Sequence, residues 1–206
     1  MPGLFISFEG IDGVGKSTQA DELEEFVRSR GFDVVRSFEP GGTELGQEIR
    51  HLLLHRKGDV SPRAEALLYA ADRSHHVATK IRPALEAGKV VIADRYLDSS
   101  VAYQGAGREL ETKEIRDLSL WATNGILPHL TVLLDLDPET ARTRRDETGT
   151  EPDRLEREKI DFFTAVRSGY LELAANEPER FLVVDATKSR EEIQQLIRAR
   201  VAELLA

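Results

Sequence analysis

Gly10-Ile11-Asp12-Gly13-Val14-Gly15-Lys16-Ser17 is the run in this 206-residue chain whose residue types and spacing carry the most chemistry. It fits the phosphate-loop pattern G-x-x-x-x-G-K-[ST] at every fixed position. Its glycines let the backbone curl until successive N–H groups face one phosphate. A helix starting behind the loop adds unpaired donors and a positive dipole end. Lys16 can reach the β/γ-phosphates of a nucleotide, and the Ser17 hydroxyl can ligate Mg²⁺. The nucleotide contact is therefore expected over Gly10, Ile11, Asp12, Gly13, Val14, Gly15, Lys16, Ser17 and Thr18. A second charged group, Asp94-Arg95-Tyr96, ends an apolar run. Ligands of open α/β sheets bind outside the carboxyl ends of the strands. There Asp94 would help hold Mg²⁺ through water, and Arg95 would touch a phosphate.

These groups need rigid elements behind them. Leu4 to Phe8 reads as a short buried strand, and Lys16 onward as a helix with an apolar face. Further strands are predicted over 33–38, 89–94, 130–135 and 181–185. Helices are predicted over 43–55, from Ser61-Pro62 toward Pro83, over 112–123, 138–146, 154–175 and 190–205. Short apolar strands alternating with helices predict an α/β fold, a five-stranded parallel sheet with helices on both faces, in one domain spanning 1–206. The stretch Arg144 to Asp153, RRDETGTEPD, has no apolar anchor. It reads as an ordinary exposed loop or as a lid over a nucleotide. Arg142, Arg144 and Arg145 at its edge favour the lid, placed at about 142–154. Asp72-Arg73 falls in mid-helix and reads equally as a solvated face or a ligand contact.

Composition narrows the partners. Hydrophobic residues make up 40% and charged residues 32% of the chain, the balance of a globular protein. No apolar run is long enough to cross a membrane, and no secretory leader is legible at the N-terminus. There is no cysteine, which excludes disulfides and zinc–thiolate sites and is compatible with a cytoplasmic location. A net charge of −9 argues against nucleic-acid or anionic-membrane partners. A phosphate site must therefore gather positive charge against an acidic background, and the arginine positions carry information.

Five segments taken together resemble the thymidylate kinases, nucleoside monophosphate kinases of the bacterial type. They are Phe8 to Thr18, FEGIDGVGKST; Phe38 to Gly46, FEPGGTELG; Tyr69 to His76, YAADRSHH; Asp94 to Arg108, DRYLDSSVAYQGAGR; and Asp153 to Glu156, DRLE. The resemblance covers nearly the whole chain and implies ATP as phosphoryl donor, Mg²⁺, dTMP as acceptor and dTDP as product, in DNA precursor synthesis. It implies that Asp12 meets the sugar 3′-hydroxyl and that Tyr69 stacks on thymine. Arg73 and Arg95 would grip the acceptor phosphate, and Ser100, Tyr103 and Gln104 would read the base and sugar edge. The Tyr103 ring would crowd a ribose 2′-hydroxyl. Phe38 stands where the family commonly has an arginine. The interior of the phosphate loop holds no arginine, so the chain resembles the members whose lid supplies the catalytic charge. Arg142, Arg145 and Arg154 join Lys16 and Arg95 as candidates. The resemblance also implies a homodimer. A related kinase for another nucleotide is one alternative. A guanine-nucleotide switch is another, but its usual Asn-Lys-x-Asp stretch is absent.

Overall fold

The computed structural model describes residues 3–147, 149 and 151–206. Its centre is a sheet of five parallel strands: β1 (Leu4–Glu9), β2 (Val34–Phe38), β3 (Val90–Asp94), β4 (Leu130–Asp135) and β5 (Phe181–Asp185), ordered β2-β3-β1-β4-β5. Strands buried on both faces must be apolar along their length. Phe5, Ile6, Val91, Ile92, Leu130 and Val132 are accordingly buried. Helices α1 (Lys16–Ser29), α2 (Glu44–Leu54), α3 (Pro62–His76), α4 (Arg82–Glu86), α5 (Leu97–Ser100), α6 (Thr112–Thr123), α7 (Pro138–Asp146), α8 (Ile160–Asn176) and α9 (Arg190–Leu204) complete the α/β fold. No helix among the described residues is long and apolar enough to cross a membrane.

The topology fixes where chemistry can occur. β1 pairs with β3 on one side and β4 on the other. The chain order reverses about β1, and such a switch point opens a crevice at the carboxyl ends of the strands. The phosphate loop leaves β1 there. Phe8 of β1 is in register with Asp94 of β3, so that carboxylate ends up beside the loop.

Two segments depart from the expected pattern. A predicted helix over 154–175 begins instead at Ile160. The Asp153 carboxylate accepts the N–H groups of Leu155 and Glu156, and Glu156 returns a bond to the Asp153 N–H. That exchange closes a turn and delays the helix. The helical run toward Pro83 is present but widens to π geometry over Val77–Ile81. Pro83 has no N–H for a regular ladder, and the wider register accommodates it. A second π segment, Val101–Gly107, follows α5. A β-carbon on Gly107 would lie 2.7 Å from the Phe162 ring, so this segment reaches α8 only because position 107 is glycine.

Candidate active site

The expected donor side is built from the phosphate loop. Gly13 has φ 88°, and a β-carbon there would lie 2.2 Å from the Ala141 carbonyl oxygen, so α7 rests directly on the loop. Gly15, at φ 94° and ψ 20°, caps α1 in the left-handed region. The side chains of Ile11 and Val14 are buried and anchor the loop, leaving its backbone as the contact surface. The Lys16 ammonium donates to the carbonyls of Gly10 (3.1 Å) and Ile11 (2.8 Å) and lies 3.7 Å from Asp12. Burial, seconded by the Arg95 charge, lowers its pKa. Ser17 Oγ donates to Asp94 Oδ2 at 2.7 Å, so the two expected metal residues stand together. The cavity above is lined by Lys16, Ser17, Thr18 and Arg144 among others.

A second cavity has Tyr69, Arg73, Ser100, Tyr103 and Gln104, the residues expected at the acceptor, in its lining. Arg95 is its hub. Its Nη2 donates to Asp12 Oδ1 at 2.7 Å and to Tyr103 Oη at 3.1 Å. Its guanidinium carbon sits 5.0 Å from the centroid of the Tyr103 ring. Burial raises the Asp12 carboxyl, but Arg95 and Lys16 together outweigh it and hold the group well below the usual carboxylate range.

Arg73 belongs to a separate network. It is 1% exposed, which removes the solvated-helix reading. Its Nε donates to Glu39 Oε2 at 2.7 Å, and its Nη2 donates to Ser100 Oγ at 3.1 Å and to the Tyr96 carbonyl at 3.2 Å. Glu39 also meets His76 Nδ1 at 2.9 Å, and His76 Nε2 lies 2.6 Å from Ser37 Oγ. This Ser–His–Glu row braces the strand end. The imidazole is fully buried and Glu39 is already paired with Arg73, so it is no nucleophile set. Beside it, burial and then the Glu39 charge push the Asp72 carboxyl up to about 6.

The arginines around the lid divide. Arg142 is exposed on α7, 3.8 Å from Asp146. Arg144 Nη1 donates to the Ala186 carbonyl at 2.9 Å. Arg145 Nη1 donates to the Glu156 carbonyl at 3.1 Å, and a β-carbon on Gly13 would lie 3.3 Å from the Arg145 Cβ. Arg154 lines neither of the two cavities; its Nε donates to the Leu53 carbonyl at 2.7 Å and its Nη2 pairs with Glu65. Within the expected lid, Thr148 and Thr150 lie outside the described residues.

The thymidylate kinase family model matches residues 8–197. The chain belongs to the thymidylate kinase family. It is 63% identical over 206 residues to the thymidylate kinase of Clavibacter sepedonicus, covering 100% of this chain and 98% of that one. It is 64% identical over 200 residues to that of Leifsonia xyli subsp. xyli, covering 97% and 95%. The crystal structure of thymidylate kinase from Ehrlichia chaffeensis superposes with a TM-score of 0.77 at 30% identity, each chain covered in full. Family membership makes the chain a kinase, a phosphotransferase.

Within the thymidylate kinase frame, sequence reasoning missed three participants. Arg50 lines both cavities, and its guanidinium carbon lies 5.9 Å from the centroid of the Phe38 ring. The signal was available, since Arg50 falls four residues from buried Gly46 and from buried Leu54, on the inward stripe of α2. Glu39 pairs with Arg73. Glu65, fully buried, accepts from Gln104, Arg108 and Arg154. Such a carboxylate on a helix gives no local signal, because its three partners come from distant parts of the chain.

Proposed function

We propose a division of labour for the phosphorylation of dTMP to dTDP, with ATP as phosphoryl donor, carried by one domain spanning 1–206. One observation supports it most. Asp12, Glu39, Arg50 and Arg95 line both cavities, so they flank the path between donor and acceptor. Phosphoryl transfer through a loose transition state needs positioning and charge neutralisation more than covalent chemistry. The acceptor oxygen is already ionised near neutral pH, and no general base is required. Lys16 and the N–H groups of the loop hold the β/γ-phosphates, and Arg95 with Arg50 receives the acceptor phosphate. Asp12, kept ionised, accepts from the sugar 3′-hydroxyl. Tyr69 stacks on the base.

Arg73 and Arg95 occupy separate networks, so Arg73 serves the base end, with Ser100 and Gln104, rather than the acceptor phosphate. The Ser17 hydroxyl and Asp94 carboxylate are hard oxygen donors 2.7 Å apart and fit Mg²⁺. Together with nucleotide oxygens and water they would hold the ion, which would neutralise charge on the phosphates. Arg145 and Arg142, on the helix that rests on the loop, supply the lid charge. By analogy with arginine fingers, such a cation is worth on the order of 10³ in rate. Arg154 serves instead to tie the lid base to Glu65.

Acceptor discrimination tests this assignment. Tyr103 is held against Arg95 and packs edge-on to Phe162 and Tyr170, so its ring cannot swing away from a 2′-hydroxyl. Tyr103→Ala is expected to lower the ratio of kcat/KM for dTMP over its ribo-analogue by about tenfold or more, the effect of one lost steric contact in a pocket. An unchanged ratio in an active variant would remove Tyr103 from the sugar site.

The homodimer is supported by α2, α3 and α6. These helices pack side by side and leave Leu45, Leu52, Leu67 and Trp121 exposed, Trp121 by 80%. Large aromatic and aliphatic side chains open to water favour a self-complementary interface. Trp121→Glu is expected to convert a dimer to a monomer in sedimentation equilibrium, and a wild-type monomer would refute the proposal. A cytoplasmic location follows from the reaction, since ATP and the demand for DNA precursors meet there.

A further inference from the structure

Glu9 ends β1, is fully buried, and has no part in the roles given above. Its carboxyl acts on Arg95 from two directions through intervening groups. Oε1 accepts the Tyr96 N–H at 2.8 Å. That bond fixes the peptide that follows Arg95, whose φ is 69°. A residue with a side chain enters this left-handed region only when its surroundings hold it there. The Arg95 N–H meanwhile donates to the Phe8 carbonyl at 2.9 Å, so the strained turn is pinned on both sides.

The other oxygen belongs to a closed triangle. Ser99 Oγ lies 2.6 Å from Glu9 Oε2, Tyr170 Oη lies 3.0 Å from the same oxygen, and the two hydroxyls are 2.8 Å apart. Arg95 Nη1 caps this triangle, donating to Ser99 Oγ at 3.2 Å and Tyr170 Oη at 3.4 Å, and also to the Gly10 carbonyl at 3.0 Å. The guanidinium can donate to both hydroxyls only if their own protons stay within the triangle. Burial, with the Asp98 charge adding, pushes the Glu9 carboxyl up to about 8. The neutral acid then gives three protons for three edges, and the ionised acid two. An amide in its place would give four, and the surplus proton must face the Arg95 cation.

We propose that Glu9 is a positioning residue for Arg95, holding its left-handed backbone through the Tyr96 N–H and its guanidinium through the Ser99–Tyr170 pair. The functional consequence rests on the reading of Arg95 as the acceptor-phosphate arginine. Glu9→Gln keeps the size of the side chain and the acceptor for Tyr96, but adds the surplus proton. By calorimetry it should weaken dTMP binding about tenfold, as a sub-ångström displacement of a binding group does. Affinity for a non-hydrolysable ATP analogue should stay within about twofold. In an Arg95→Ala background, Glu9→Gln should cost nothing further. A full tenfold cost in that background overturns the proposal.

A second readout needs no substrate. The Arg95 Nε–H resonance, assigned by its loss in Arg95→Lys, should shift or broaden in Glu9→Gln. If Arg95→Ala binds dTMP normally, the reading of Arg95 fails while this resonance still decides the role of Glu9. An unmoved resonance overturns the proposal. Should Glu9→Gln fail to fold, Glu9→Asp draws the carboxyl back from the Tyr96 N–H and from the triangle by one methylene, leaves every direct partner of Arg95 in place, and carries the same expectations.

Discussion

Lys16→Ala is expected to lower kcat by on the order of 10³ or more while the chain remains folded. The structure separates these two effects. Among the described residues the ammonium hydrogen-bonds only to the carbonyls of Gly10 and Ile11 in its own loop, and its nearest carboxylate, at 3.7 Å, is already paired with Arg95. Removing it leaves no buried anion uncompensated and relieves the cost of burying a cation. The loop itself is held by Ile11 and Val14 in the core. Circular dichroism and the melting temperature should therefore match the wild type, and only the charge facing the β/γ-phosphates is lost. Near-native turnover in the folded variant would remove Lys16 from the chemistry.

Arg180→Ala is expected to have the largest effect on stability. The Arg180 fork donates to both oxygens of Asp98, at 2.6 and 2.9 Å, and Nη1 also donates to Thr131 at 2.7 Å. Asp98 is fully buried, and its other partner is the Thr131 hydroxyl at 3.2 Å. Truncating the arginine strands a carboxylate in the interior. Breaking a buried pair from one side costs about 3–5 kcal/mol. Urea denaturation should show this as a lower midpoint. Asp98 lies on α5, directly before Ser99 and Ser100, so dTMP affinity should fall along with stability. A loss below ~1 kcal/mol would mean that water replaces the guanidinium and that the pair does not anchor α5.

The fold was legible where its causes are local. The phosphate loop, the five apolar strands and the Ser61-Pro62 helix start each follow from neighbouring residues; the order β2-β3-β1-β4-β5 does not, because right-handed crossovers are compatible with several strand orders. The site was less legible where contacts span the chain. Asp72-Arg73 supports two readings because exposure cannot be read from spacing; the burial of Arg73 decides between them, and its partner Glu39 is 34 residues away in the chain. The residues 97–107 carry Ser100, Tyr103 and Gln104 on a short helix and a π segment, whose period matches neither a strand nor a regular helix. Ile160 rather than Arg154 starts α8 because the Asp153 side chain competes for backbone donors, and composition alone does not settle that contest. Glu9 stands in the FEGIDG run yet reads as the end of a strand, since its three hydroxyl and amide partners lie 87 to 161 residues away.

The contact between Gly13 and Ala141 has a consequence for where this enzyme can keep its positive charge. The carbonyl oxygen of α7 occupies the place a side chain at position 13 would need, 2.2 Å from its first carbon. A loop arginine and a docked α7 thus compete for one volume. With the helix docked, a side-chain cation at position 13 is sterically forbidden, and the proposed function draws that charge from the helix instead. Which of the two carries the charge is then an exclusion rule written in van der Waals radii, and a change of side would require the helix and the loop to change together.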